Sequence, residues 1–225
     1  MYLKFLVSTA SLAALLATSP AAANSGQAAD SPANGFKAHY RLDAPGMPVT
    51  TIEHQLAFNE YRVESSMEGK AGGIASATER SRFLDMSDTL TPLLYVSAQS
   101  TFGFKKEHRM SQADLSGLLD RQMMLYQLSR DARNQSCPEA SPCSLAYADH
   151  QGKIKQITYH QYEFPAQLIH GESLVPAGII AREANNRDPM RLAFHPTVPG
   201  LILEAEVPQD DDRPYRLTFR DVAFR

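Results

Sequence analysis

The chain has 225 residues, with 22 Lys and Arg against 25 Asp and Glu and a formal net charge of −3. The basic residues are scattered rather than clustered, which argues against a nucleic-acid role. There is no Trp, only two Cys and seven His occur, and no internal repeat of fixed period is visible.

The first residues read as a targeting segment. Lys4 gives a short positive start, and residues 5–16 form an apolar run broken only by small hydroxyl residues. That run is shorter than the roughly 20 residues that span a bilayer. Pro20, Ala21, Ala22 and Ala23 supply the small residues that signal peptidase reads, so cleavage is expected after Ala23. An uncleaved N-terminal anchor is the alternative. No Cys follows the apolar run, so a lipoprotein anchor finds no support, and no later segment is apolar enough to cross a membrane. The predicted organisation is a signal peptide at 1–23, a disordered Ser-, Ala- and Gly-rich leader at 24–35, and one β-rich domain at 36–225. That domain is long enough for a real core and is expected to be soluble and periplasmic.

Phe36, Ala38, Tyr40 and Leu42 alternate as a first strand, followed by turn residues 43–48. Ile52, His54, Leu56 and Phe58 alternate next, and then the apolar parity changes to Tyr61, Val63, Ser65 and Met67. A tight turn at Asn59-Glu60 would place Phe58 opposite Tyr61. The glycines at 69, 72 and 73 read as a turn rather than a phosphate cradle, because no helix start follows them. Residues 76–84 form another strand, with Ala77, Glu79, Ser81 and Phe83 on one face. Leu90 to Tyr95 brings the chain back. Residues 96–110 read as one long strand, with Val96, Ala98, Ser100, Phe102 and Phe104 on one face, leaving the core where Lys105, Lys106, Glu107 and Arg109 begin.

Residues 114–131 are the predicted helix, about five turns long. Leu115, Leu118, Leu119, Met123 and Tyr126 recur at three and four residues, and Asp114 or Ser116 could cap the start. Met123, Met124 and Leu125 make one side apolar, suiting a helix packed on the sheet or a lid with adaptable Met contacts. Cys137 and Cys143 flank Pro and Ser residues in a short loop. In an oxidising compartment that spacing favours a disulfide over a redox pair or a half metal site, since it is not C-x-x-C and holds no His. Residues 144–147 are expected to pair with 153–163 across the turn at 149–152. Shorter strands follow at 174–182 and 190–194. A last hairpin sets Leu201, Leu203, Ala205 and Val207 against Tyr215, Leu217 and Phe219, with a bulge after Arg220-Asp221 where the parity shifts to Val222 and Phe224. The fold class is therefore mainly β: a single antiparallel curved sheet or open β-barrel with one packed α-helix.

Several landmarks stand in a fixed order. An early Tyr strand ends at Gly46, and Tyr61-Arg62-Val63-Glu64-Ser65 follows. Gly73-Ile74-Ala75 precedes a charged strand, then Leu90-Thr91-Pro92-Leu93-Leu94-Tyr95. Leu119-Asp120 leads to Leu125-Tyr126-Gln127-Leu128, Gly152-Lys153-Ile154 to Tyr159, and Val198-Pro199-Gly200-Leu201-Ile202 to Tyr215-Arg216-Leu217. This order resembles family 3108 of the domains of unknown function, exported proteins of Gram-negative bacteria, over most of residues 36–224. The Trp usual in that family is absent, and Leu192-Ala193-Phe194-His195 stands in its place. The resemblance implies an antiparallel β-rich periplasmic domain and carries no catalytic residue.

No chemical signature stands out. His160, Glu163, His170 and Glu172 are the densest metal-type group, but the odd spacing of His160 and Glu163 sets them on opposite strand faces. No G-x-S-x-G elbow is present. Glu204 and Glu206 alternate as a solvated face would, and Arg80 and Arg82 read as a charged outer face or cross-strand pairs in preference to an anion site. No catalytic residue, metal or cofactor is expected. The remaining candidates are Phe58, Tyr61, Phe83, Phe102, Phe104, Met123, Tyr159, Tyr215 and Phe219, which would line an apolar ligand site if the curved sheet leaves that face open, and would form a packed core if it does not. The expected function is a non-enzymatic envelope protein binding a lipid-like molecule. The alternatives are a structural module docking an envelope protein through a sheet edge, and an unrecognised hydrolase.

Overall fold

The computed structural model describes residues 34–225, apart from 47, 74, 87, 88, 185, 187 and 209–212. The expected signal peptide and nearly all of the expected leader lie outside the described residues. The end of that leader is already ordered: Asn34 N–H donates to the Arg225 carbonyl at 3.2 Å, and Gly35 begins the first strand.

Six strands form a meander: β1 (Gly35–Asp43), β2 (Thr50–Asn59), β3 (Arg62–Ala71), β4 (Ala75–Met86), β5 (Thr89–Thr101) and β6 (Phe104–Ser111). Each pairs antiparallel with its predecessor. A one-turn helix α1 (Gln112–Leu115), a two-residue strand β7 (Leu119–Asp120) and the long helix α2 (Arg121–Asn134) follow. The chain returns to sheet with β8 (Cys143–Ala148) and β9 (Ile154–Glu163), a small ribbon of β10 (Gln167–Ile169) and β11 (Glu172–Leu174), then β12 (Ala177–Glu183), β13 (Met190–Phe194), β14 (Ile202–Val207) and β15 (Tyr215–Phe224). The main sheet has 13 strands in the order β6-β5-β4-β3-β2-β1-β15-β14-β13-β12-β9-β8-β7. β15 pairs with β1 and so joins the two halves of the chain. Among the described residues only the short β7–β8 pairing is parallel.

The sheet curls until its two ends approach. Ser97 Oγ on β5 donates to the His150 carbonyl at 2.6 Å, and Tyr95, Met110, Leu115 and Ala148 form a small buried cluster across the gap. Among the described residues no ladder joins β6 to β7, so the barrel stays open. Helix α2 lies inside the curve. Met123 and Leu128 are fully buried, and Tyr126 packs against Phe58 and Phe83 with ring centroids 6.4 and 5.3 Å apart.

The alternation places the strands well and the turns less well. The β2–β3 turn is Glu60-Tyr61, not Asn59-Glu60, so Phe58 faces Val63 and Asn59 faces Arg62. Glu60 takes the left-handed conformation that starts the turn (φ 54°). The expected single strand over 96–110 is a hairpin, with Phe102 and Gly103 both at positive φ (50° and 82°) and Thr101 paired with Phe104. The expected helix over 114–131 is two helices. Ser116 and Gly117 turn left-handed (φ 48° and 83°) after α1, and α2 starts only at Arg121, capped by Asp120 rather than Asp114 or Ser116. The 144–147 and 153–163 hairpin and the final hairpin form as expected. The late bulge is present too: Tyr40 faces Phe219 and His39 faces Asp221, which leaves Arg220 as the extra residue. Cys137 and Cys143 are disulfide-bonded, with Cα atoms 5.5 Å apart, and tie the end of α2 to the start of β8.

Candidate functional site

Antiparallel register brings the β1–β2, β3–β4, β5–β6, β12–β13 and β14–β15 turns to one end of the sheet. At that end a cavity of 440 Å³ lies between the sheet and the first turns of α2 and opens to solvent. This volume falls within the range of small-molecule sites. The wall is aliphatic and methionine-rich. Met67, Met124 and Met190 reach it from β3, α2 and β13, and Ile52, Ile202 and Leu217 reach it from β2, β14 and β15. An unbranched thioether can adjust to several ligand shapes, so three methionines lining one cavity suit a flexible apolar guest.

The helix enters this wall because of its cap. Asp120 is fully buried, and its Oδ1 accepts from the backbone N–H groups of Gln122 and Met123 at 2.8 and 3.0 Å. Its Oδ2 accepts from Ser81 Oγ on β4 at 2.5 Å. Burial pushes the Asp120 carboxyl up to about 6, against the opposing pull of those three hydrogen bonds. The next residue, Arg121, points its guanidinium along the cavity wall and forks onto Glu79 of β4, with Nη2–Oε1 at 2.6 Å and Nε–Oε2 at 3.1 Å. Glu79 is only 12% exposed in its side chain, Arg121 42%.

Behind Glu79 a polar chain runs into the core. Gln122 Nε2 donates to Glu79 at 3.3 Å, and Ser65 Oγ donates to Gln122 Oε1 at 2.8 Å. His54 Nε2 lies 3.3 Å from Ser65 Oγ. Since the Ser65 proton is directed at Gln122, the His54 ring carries its proton on Nε2. Burial lowers the His54 pKa to about 3, so the ring is neutral. Across the cavity Tyr147 OH donates to Glu183 at 2.8 Å, and Lys155 pairs with the same carboxylate at 3.1 Å. These groups form hydrogen-bonded walls. Ser65 and Ser81 are buried and their hydroxyl protons are directed at Gln122 and Asp120, so neither stands free as a nucleophile toward the cavity.

The expected aromatic face is not one face. Tyr215 lines the cavity. Phe58 and Phe83 pack on Tyr126, and Met123 is fully buried beneath the helix. Tyr159 is buried and its OH donates to Asp131 at 2.7 Å. Phe219 packs against Tyr40 and His170. Tyr61, Phe102 and Phe104 sit at hairpin tips with 66, 72 and 81% of their surface exposed: the β2–β3 turn falls one residue later than alternation sets it, and a tip at Phe102-Gly103 interrupts what alternation reads as one strand. The metal-type group is not gathered: His160 Nδ1 bonds the Gln161 carbonyl, and His170 packs edge-on against Phe219. Among the described residues no three His, Cys, Asp or Glu are placed to hold a metal. Arg82 pairs with Glu64 across β3–β4 on the outer face.

Sequence reasoning missed Met67, Met190, Glu79 and Arg121 as wall residues. Asp120 carried the one readable signal, an acid immediately before an apolar helical run. No family model matches the chain, and no curated protein matches it. Among solved structures the chain is similar to a β-barrel-like protein of the domain of unknown function DUF1849 from Brucella abortus. The identity is 9%, the match covers 85% of this chain and 98% of that one, and the TM-score is 0.46.

Proposed function

We propose that this chain is a non-enzymatic protein of the bacterial cell envelope that carries an apolar, lipid-like ligand inside its curved sheet. The observation that carries the reading is the cavity, open at one end and walled mainly by methionine and aliphatic side chains, with the paired Glu79, Arg121 and Glu183 among its lining, where a closed core would be packed. At roughly 30 Å³ per water-sized group, 440 Å³ takes about 15 such groups, the size of one acyl chain rather than two. The export signal read in residues 1–23 and the Cys137–Cys143 bridge both favour an oxidising compartment outside the cytosol. Among the described residues no helix is long and apolar enough to cross a membrane. The likeness to family 3108 rests on landmark order alone and belongs to this proposal.

The test is binding of a neutral apolar fluorophore such as N-phenyl-1-naphthylamine, displaced by single-chain lipids. Ala77, a small residue on the cavity wall, is replaced by Trp to fill the space. The reading expects saturable binding by the native chain and at least tenfold weaker binding by Ala77→Trp with an unchanged unfolding midpoint. Equal binding by both proteins would place the fluorophore elsewhere and end the reading.

A further inference from the structure

The β5–β6 hairpin tip has a composition that folding does not explain. Phe102 occupies a left-handed position (φ 50°), where Asn, Asp or Gly are the favoured residues and a bulky side chain is strained. Its ring is 72% exposed and that of Phe104 is 81% exposed, so neither gains burial in return. Lys105 and Lys106 follow directly. Their cross-strand neighbours are the uncharged Ser100 and Gln99, and neither lysine forms an ion pair among the described residues. Further across the sheet the ladder runs Lys105, Ser100, Ser76, Lys70, where Lys70 pairs with Glu68 at 2.6 Å, and Glu107 is the one acid on β6. Strain kept at an exposed site is a pointer to function rather than to stability.

We propose that this tip docks the protein on an anionic phospholipid surface, with the Phe102 and Phe104 rings entering the headgroup boundary and Lys105 and Lys106 facing the phosphates. Two apolar rings backed by unpaired cations are the pattern of an interfacial membrane anchor. The place of the tip also fits. Register sets the tip at the end of the sheet where the cavity opens, and Val49, another exposed apolar side chain, lies in the β1–β2 connection at that end. A docked molecule would turn its cavity toward the bilayer. Two rings and two lysines give weak, reversible attachment.

The experiment uses the chain as cells process it, its N-terminus read by mass spectrometry, in flotation with phosphatidylcholine vesicles with or without phosphatidylglycerol. The native chain is expected to float with anionic vesicles and much less with neutral ones. Phe102→Ser with Phe104→Ser should weaken binding by at least about tenfold, since burying one Phe alone is worth roughly that. Lys105→Gln with Lys106→Gln should weaken it by roughly 30-fold, about fivefold per lysine, and remove the lipid-charge dependence. Tyr61→Ser, an exposed aromatic at the opposite end, is the control and should bind as the native chain does. Unfolding midpoints check that each variant folds. No flotation by the native chain, or flotation unaffected by both tip variants, overturns the proposal. Loss of flotation in Tyr61→Ser equal to that in the tip variants overturns it too. The assay reads attachment and not cavity occupancy, so its failure is separable from failure of the carrier reading.

Discussion

Asp120 offers the most exacting test of how the helix is held against the cavity. Its carboxyl is fully buried, accepts three hydrogen bonds, and is raised from 3.8 to about 6, chiefly by burial. At about 1.4 kcal/mol per pH unit, that rise means that ionised Asp120 costs the fold about 3 kcal/mol relative to the neutral acid. The sign follows from proton counts. Between about pH 4 and 6 the folded state holds a proton that the unfolded state releases, so this group favours folding most below pH 4. The benefit fades as pH rises to 6 and is gone above it. Asp120→Asn copies the neutral acid at every pH. Its Oδ1 can still cap Gln122 and Met123, and its Nδ2 can donate to a Ser81 hydroxyl that turns to accept. Urea unfolding should therefore find Asp120→Asn more stable than the native chain by about 1–3 kcal/mol at pH 7.5, with the two converging near pH 4. Differencing the two proteins cancels the exposed carboxylates, such as Asp43 and Asp114, which hydrogen bonds from Arg41 and Ser111 hold below their usual range. A variant less stable than the native chain at pH 7.5, or a difference that ignores pH, would refute the reasoning.

Other substitutions probe separate parts of the fold. Ser129 is buried on α2 and accepts the Gly200 N–H at 2.8 Å, so Ser129→Ala should cost about 1–3 kcal/mol in chemical unfolding by leaving that donor unpaired. A Cβ at Gly178 would fall 2.1 Å from the Tyr162 carbonyl oxygen and 2.5 Å from the Phe164 ring. The carbonyl belongs to the β9–β12 ladder and cannot swing away, so Gly178→Ala should lower the thermal midpoint by more than Gly171→Ala, which meets no atom and carries only the backbone strain of its left-handed position (φ 85°). The Cys137–Cys143 bridge closes a short loop, and reducing it or replacing both residues by Ser should cost about 2 kcal/mol in urea unfolding. Two thiols reactive toward a disulfide reagent in the undenatured native protein would contradict the bridge itself.

Strand positions were legible where one face of the strand is buried, as it is along β1 to β5 but not along β6. Phe36, Ala38 and Tyr40 are all fully buried on β1, as their alternation implies. Turns were less legible where their residues imitate strand. Phe102 continues the alternation of β5, so Gly103 alone marked the hairpin, and Tyr61 hid the β2–β3 turn in the same way. The helix began late because Leu115, Leu118 and Leu119 keep helical spacing through a break made by Ser116 and Gly117. Leu115 instead seals the gap between the sheet ends. The apolar run at Met123, Met124 and Leu125 was visible, and it divides: Met123 faces the core, while Met124 and Leu125 face the cavity. The rest of the wall was beyond sequence reasoning because it is assembled from strands far apart in the chain. Glu79 and Arg121, 42 residues apart, meet only once the sheet has curled around α2.

The carrier reading is tested most directly by native mass spectrometry of the chain purified without detergent from its own cell envelope, with solvent extraction of the same sample. The account predicts a reproducible added mass that extracts as a single-chain apolar molecule and is absent from Ala77→Trp prepared in parallel. A mass matching the bare polypeptide in repeated preparations, with no apolar molecule in the extract and no uptake of added lipid, would contradict it.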